Sequence, residues 1–314
     1  MSLLEKLFGK NENAESFNQR EEVKKAGVPG TVMLSDGEKK YFTEYDSGVS
    51  SELLAEYILN DPCLPELRKI IIGVWDQEIY DADPGKIFTM MINNQEKFQH
   101  IESLFIGDME AEENEISWIK QGNYEELLRV FPNLKSLTIQ GSDSLVLGKV
   151  NHLKLEELVI ICGGLPISVV NEIKSANLPN LKKLILYSGD ESYGYSCNIS
   201  DFAELVKKER FPNLQYLGLV NSFEQDDLVR VIIESDLLPQ LEIIDISCGC
   251  LTDKGGQLIL NAADKLVNLK ELNADYHYMS EDMMEKIKAL PFKVSLNDAQ
   301  EPYDDGEMWP MITE

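Results

Sequence analysis

Apolar residues along this chain recur as a triplet, L-x-x-L-x-L, separated by segments whose apolar residues return every three or four positions. The triplets begin at Leu67, Ile101, Leu134, Leu155, Leu181, Leu214, Leu241 and Leu269. Their second and third slots are Ile70 and Ile72, Leu104 and Ile106, Leu137 and Ile139, Leu158 and Ile160, Leu184 and Leu186, Leu217 and Leu219, Ile244 and Ile246, and Leu272 and Ala274. Alternation over so few residues predicts a short strand. The intervening segments, among them Asn123 to Val130, Phe202 with Leu205 and Val206, Leu228 with Val231, Ile232 and Ile233, and Met283 and Met284 with Ile287, carry helical spacing. Ser280 caps the last of these helices, with Glu281 and Asp282 in its first turn. Gaps between triplets run 34, 33, 21, 26, 33, 27 and 28 residues. Gaps of 26 to 28 fit one helix between strands, 21 leaves room only for a turn, and the longer gaps hold insertions.

A second mark sets the phase of the pattern. Leu64-Pro65-Glu66, Phe131-Pro132-Asn133, Leu178-Pro179-Asn180, Phe211-Pro212-Asn213 and Leu238-Pro239-Gln240 each lead directly into a first leucine. Proline ends the preceding helix, the polar residue makes the turn, and the apolar residue before proline anchors the helix end. Ahead of the triplets, Val32-Met33-Leu34 and Tyr41-Phe42 are predicted to pair across Ser35-Asp36-Gly37-Glu38 as a hairpin. Ser50 to Leu59 is predicted to be a helix, with serine capping its start and Glu52 at its positive end. Phe292 to Leu296 alternates and is predicted as a final edge strand, blunted by Lys293. Residues 1–62 are read as an N-terminal capping region, 63–297 as the repeats, and 298–314 as an acidic C-terminal tail able to fold back through Trp309.

A unit of this length and pattern is a leucine-rich repeat. Leu241 to Gly255 is its clearest copy, and with Thr252-Asp253-Lys254-Gly255 entering the helix it resembles repeats of the ribonuclease-inhibitor class. The segment Glu115-Ile116-Ser117-Trp118-Ile119-Lys120-Gln121 resembles one found in a family of bacterial cytoplasmic leucine-rich repeat proteins of unassigned activity, which also end in an acidic, aromatic-containing tail. The resemblance implies an α/β right-handed solenoid, with parallel strands on the concave face, helices on the convex face and a cap at each end. It implies a bacterial cytoplasmic setting and no known reaction. The irregular gaps and the few asparagines at the turn depart from the ribonuclease-inhibitor pattern, so nuclease inhibition does not carry over.

Composition narrows the partners. Lys and Arg total 29 against 55 Asp and Glu, a formal net charge of −26. That balance opposes binding of nucleic acid or anionic lipid, because phosphates are held by cations. No run of about 18 apolar residues occurs, so no membrane span is expected. The start lacks the apolar core of a secretory signal; Leu3, Leu4, Leu7 and Phe8 share one face of a possible short helix. Five cysteines at irregular spacing, Cys63, Cys162, Cys197, Cys248 and Cys250, imply no disulfide framework and fit a reducing compartment.

Candidate chemistry is sparse. Cys248-x-Cys250 lacks further ligands for zinc, with His100, His152 and His277 the only histidines, and the slot at Cys248 is a buried turn position in this repeat class. Asp108, Glu110, Glu112, Glu113 and Glu115 lack the spacing of a calcium loop. No cofactor and no metal are expected. Strand alternation turns the residues between the slots toward the concave face. Phe105, Val159, Ile161, Ile185, Tyr187 and Tyr216 are therefore expected to form an exposed apolar patch, flanked by Asp245, Glu271 and Asp275. The function expected is protein–protein recognition without catalysis. Phe105, Val159, Ile185, Tyr187, Tyr216, Asp245, Glu271 and Asp275 would bind a protein or peptide partner, and the acidic end would favour basic ones. A hydrolase using Asp245, Glu271 and Asp275, or a structural scaffold subunit, are the alternatives. The Gly- and Tyr-rich insertion Ser188 to Ser196 reads equally as a recognition loop or a loose excursion.

Overall fold

The structure, a computed structural model, describes residues 27–313. The amphipathic face at Leu3, Leu4, Leu7 and Phe8 lies outside the described residues. The described residues divide into two compact units, with the boundary between Val146 and Leu147. Both are α/β, with strands alternating with helices and mostly parallel to one another.

The first unit opens with β1 (Gly30–Ser35) and β2 (Glu38–Phe42), an antiparallel hairpin across the Asp36-Gly37 turn, as the sequence predicts. The helix α1 (Ser51–Leu59) follows, with the Ser50 side chain accepting the Leu53 N–H. Then come β3 (Lys69–Ile72), α2 (Gly85–Asn93), β4 (Ser103–Ile106), α3 (Glu125–Val130) and β5 (Ser136–Gln140). From β2 onward each strand pairs in parallel with the next, in register Ile70–Leu104–Leu137. Helix packs on helix in the same order. The hairpin is tied down by two buried ion pairs. Lys39 Nζ lies 2.5 Å from Asp61, and Lys40 Nζ lies 2.8 Å from Asp108. Burial pushes the Asp61 carboxyl up. Hydrogen bonds from Lys39, the Cys63 N–H and Tyr41 outweigh that and hold it below the usual range.

The second unit contains β6 (Glu157–Ile161), α4 (Ile167–Ser175), β7 (Lys183–Gly189), α5 (Ile199–Leu205), β8 (Tyr216–Ser222), α6 (Gln225–Glu234), β9 (Ile243–Asp245), α7 (Asp253–Asn261), β10 (Glu271–Asn273), α8 (Glu281–Lys288) and β11 (Lys293–Ser295). These strands run parallel in chain order, in register Leu158–Leu184–Leu217–Ile244–Leu272–Val294. The last strand falls where alternation predicts it, and Lys293 pairs with Glu271 at 2.8 Å.

The triplets fix both cores. No second- or third-slot residue is more than 4% exposed. Burying each Leu or Ile stabilises by roughly 1.5–3 kcal/mol. The residues before proline, Leu64, Phe131, Leu178, Phe211 and Leu238, are all buried, as their anchoring role requires. The polar residue after proline does more than turn the chain. Asn133, Asn180 and Asn213 each donate a side-chain amide to the preceding turn, at the carbonyls of Gln99, Leu153 and Pro179, over 2.6–2.8 Å. Each turn is thus bolted to the one before it.

Candidate binding site

The between-slot residues are not an exposed patch. Phe105, Val159, Ile161, Ile185 and Tyr187 are all buried, the most accessible being Phe105 at 7%. Neighbouring parallel strands lie about 4.8 Å apart, so residues on one face in register pack side by side. Ile71 and Phe105 are such neighbours in the first unit, as are Val159, Ile185 and Gly218 in the second. A Cβ on Gly218 would sit 3.0 Å from Ile185, which shows how closely Ile185 covers that glycine. Apolar runs such as Lys69-Ile70-Ile71-Ile72 and Glu157-Leu158-Val159-Ile160-Ile161 belong to strands buried on both faces.

The polar residues of that set are tied to their neighbours. Tyr216, half-buried, donates its hydroxyl to Asp245 at 2.9 Å. Asp245 also accepts from the Ser247 hydroxyl at 2.6 Å and N–H at 3.1 Å. Burial raises the Asp245 carboxyl above its ordinary range, against the pull of those bonds. Glu271 pairs with Lys293, while Asp275 accepts from the Ser295 hydroxyl and the Asn297 N–H, each at 2.7 Å. The three carboxylates proposed for hydrolysis are thus each bonded to a different group of neighbours. Tyr187 is held neutral, chiefly by burial.

The cysteine and acidic motifs are also accounted for. Cys248 and Cys250 are buried free thiols, pushed up to about 12 by desolvation. Asp108 is paired with Lys40, and Glu113 accepts the Glu110 N–H. Among the described residues, no three His, Cys, Asp or Glu side chains are arranged to hold a metal ion. In the first unit, the exposed rings of Tyr45, Tyr80 and Trp118 lie in contact, with centroids 6.1 and 6.3 Å apart. Only Trp118 stands out in the sequence.

The second unit contains an open cleft of about 530 Å³ that alternation does not reveal. The 188–196 insertion forms one wall, with Asp190, Glu191 and Tyr195; the end of β8 contributes Ser222, Phe223 and Glu224; the tail contributes Glu307, Met308 and Trp309. The insertion is a pinned loop. Gly189, at φ +77°, bridges to Gly164, and the Asp190 N–H reaches the Gly163 carbonyl at 2.7 Å. A Cβ on Gly189 would fall 1.8 Å from that carbonyl oxygen, so only glycine fits. Asp190 then caps the turn by accepting the Ser192 N–H. Opposite, Phe223 and Trp309 meet edge to face at 5.4 Å. Four lining residues are acidic and none is basic. Partial burial, then the charges of Asp227 and Glu191, raise the Glu224 carboxyl. The cleft suits a cationic group held between carboxylates and aromatic faces.

The tail reaches this cleft by folding back, as Trp309 suggested, although Ile312 is its buried anchor and Trp309 stays 39% exposed. The side chain of Asn221, itself fully buried, donates to the Ile312 carbonyl at 2.5 Å and accepts the Ile312 N–H at 2.8 Å. The Met311 N–H donates to the Cys248 carbonyl at 2.8 Å. The Tyr276 and Tyr278 hydroxyls donate to the Trp309 carbonyl, and the Trp309 N–H donates to the Tyr278 oxygen.

A crystal structure of a Bacteroides fragilis protein, solved as a structural-genomics target, matches with a TM-score of 0.82 and 43% identity, covering 88% of this chain and 77% of that one. The chain belongs to the same family as that protein. The relative carries no stated activity, so the family fixes the fold and leaves the role to the site. A TLR13–ssRNA13 complex aligns over 80% of this chain and 38% of that one, at 16% identity and a TM-score of 0.36, too low to bear on fold or function. No family model and no curated protein matches the chain. Among the described residues, no helix is long and apolar enough to cross a membrane.

Proposed function

We propose that this family member is a bacterial cytoplasmic leucine-rich repeat solenoid with capped ends, serving as a protein–protein interaction module rather than an enzyme. Its partner presents a basic segment to the cleft between the 188–196 insertion and the end of β8. The observation that supports this is the composition of the cleft, four carboxylates and three aromatic rings around about 530 Å³. Tyr and Trp are common anchors of recognition hot spots, and the carboxylates beside them select a cationic partner. This site replaces the buried between-slot residues as the binding surface.

The test is a pull-down from the host lysate with the wild-type chain beside an Asp190→Asn, Glu191→Gln, Glu224→Gln triple variant, at 50 and 500 mM salt. Wild type is expected to retain a basic partner at low salt, and the variant to retain at least tenfold less. A partner held equally by both proteins would place recognition elsewhere.

A further inference from the structure

The tail is bound as a peptide ligand would be. Its contacts address five backbone groups, the Trp309 N–H and carbonyl, the Met311 N–H, and the Ile312 N–H and carbonyl. A side-chain amide that both donates to and accepts from one residue reads its backbone whatever side chain that residue carries. Exposure also alternates along the segment: Trp309 is open, Pro310 buried, Met311 half-buried and Ile312 buried. Backbone contacts thus hold the segment while the alternate side chains Pro310 and Ile312 are buried, the division of labour by which bound peptides are recognised.

The tail is nevertheless a poor electrostatic match. Glu307 lines the same cleft as Asp190, Glu191 and Glu224, and the residues leading to it include Glu301, Asp304 and Asp305. Like charges in one cleft repel. Covalent attachment offsets this, because a short tether holds the segment at an effective concentration in the millimolar range.

We propose that the site around Asn221 is a peptide-binding site which the chain's own residues 309–312 occupy as an intramolecular competitor. Its external ligand is a partner segment with an apolar–proline–apolar core preceded by lysine or arginine in place of the acidic run. This rests on the acidic cleft selecting basic partners, through the lining that stays when the tail leaves, Asp190, Glu191, Glu224, Tyr195 and Phe223, and adds that binding requires the tail, with Glu307 and Trp309, to go. The segment that displaces it exchanges repulsion for attraction while keeping the same backbone bonds.

The experiment uses the full chain with a protease site inserted after Gly306, which lies in an exposed turn with open space around it. After folding and cleavage, two fluorescent peptides are titrated and followed by anisotropy. One carries the native sequence from Glu301 to Thr313. The other has Glu301, Asp304, Asp305 and Glu307 replaced by lysine. Both are expected to saturate the cleaved protein, the lysine peptide at least tenfold tighter at 50 mM salt, with the gap closing by 500 mM. The uncleaved chain is expected to bind the lysine peptide at least tenfold more weakly than the cleaved one. Asn221→Asp tolerates the left-handed backbone (φ +58°) but cannot donate to the ligand carbonyl. It is expected to weaken both peptides about equally, with the thermal midpoint of the cleaved chain showing that the fold persists. A cleaved tail that never exchanges, or a chain that unfolds when it leaves, would make the tail a structural cap and overturn the proposal. Equal affinities for the two peptides would overturn the charge selection. A lysate partner held through the cleft while neither peptide binds would leave the acidic site standing and remove only the peptide competition.

Discussion

His277 shows how a single buried side chain sets a pH limit. The ring is fully buried and its Nδ1 accepts the Met279 N–H at 3.1 Å. Desolvation lowers its affinity for a proton, aided by Lys288 and opposed by Asp275, Asp298 and the Leu296 backbone. In the unfolded chain a histidine titrates near about 6.5. Below that pH the unfolded state takes up a proton that the folded state refuses, so folding stability is full above it and falls as the pH drops. Denaturant unfolding between pH 7.5 and 5 is expected to show this decline, and His277→Asn, whose amide oxygen replaces Nδ1 as acceptor, to flatten it. The identity of such residues is plain in the sequence, but their state is not. His277 has no motif around it, and Phe105 and Tyr187 look like exposed anchors until register sets Ile71 beside one and Val220 beside the other.

At the level of elements, strands and turns were the readable part. The triplets marked every strand from β3 to β10, and the proline marks set the turns, because a slot that must be apolar in every copy leaves a period in the chain. The asparagine rungs between turns have a visible residue but an invisible acceptor, a carbonyl some 30 residues earlier. The 188–196 insertion was undecided by composition and is decided by Gly189, where the backbone of residues 163 and 164 leaves no room for a side chain. Gly189→Ala combines a positive φ with a backbone clash and is expected to cost about 2–4 kcal/mol in chemical denaturation. The same change should also release the Asp190 wall of the cleft.

The whole molecule carries a net charge of −26, and its ion pairs do not cancel it. Self-repulsion on that scale opposes compaction and is screened by salt. Raising ionic strength from 10 to 200 mM is expected to raise the thermal midpoint by several degrees, measured by calorimetry, while weakening capture of a basic partner. Opposite responses of stability and binding separate the charge of the molecule from that of the cleft.

The sequence alone determined the α/β class, the strand phase, the turn positions, the N-terminal hairpin and the acidic character, because each is written in local spacing or in simple counts. Tertiary structure alone decided which apolar residues are covered and where an open surface lies. Burial depends on what stands across the register, as Ile185 stands over Gly218. The cleft joins residues near 190, 223 and 309, brought together by a glycine bridge and a folded-back tail. No local spacing records contacts between residues so far apart.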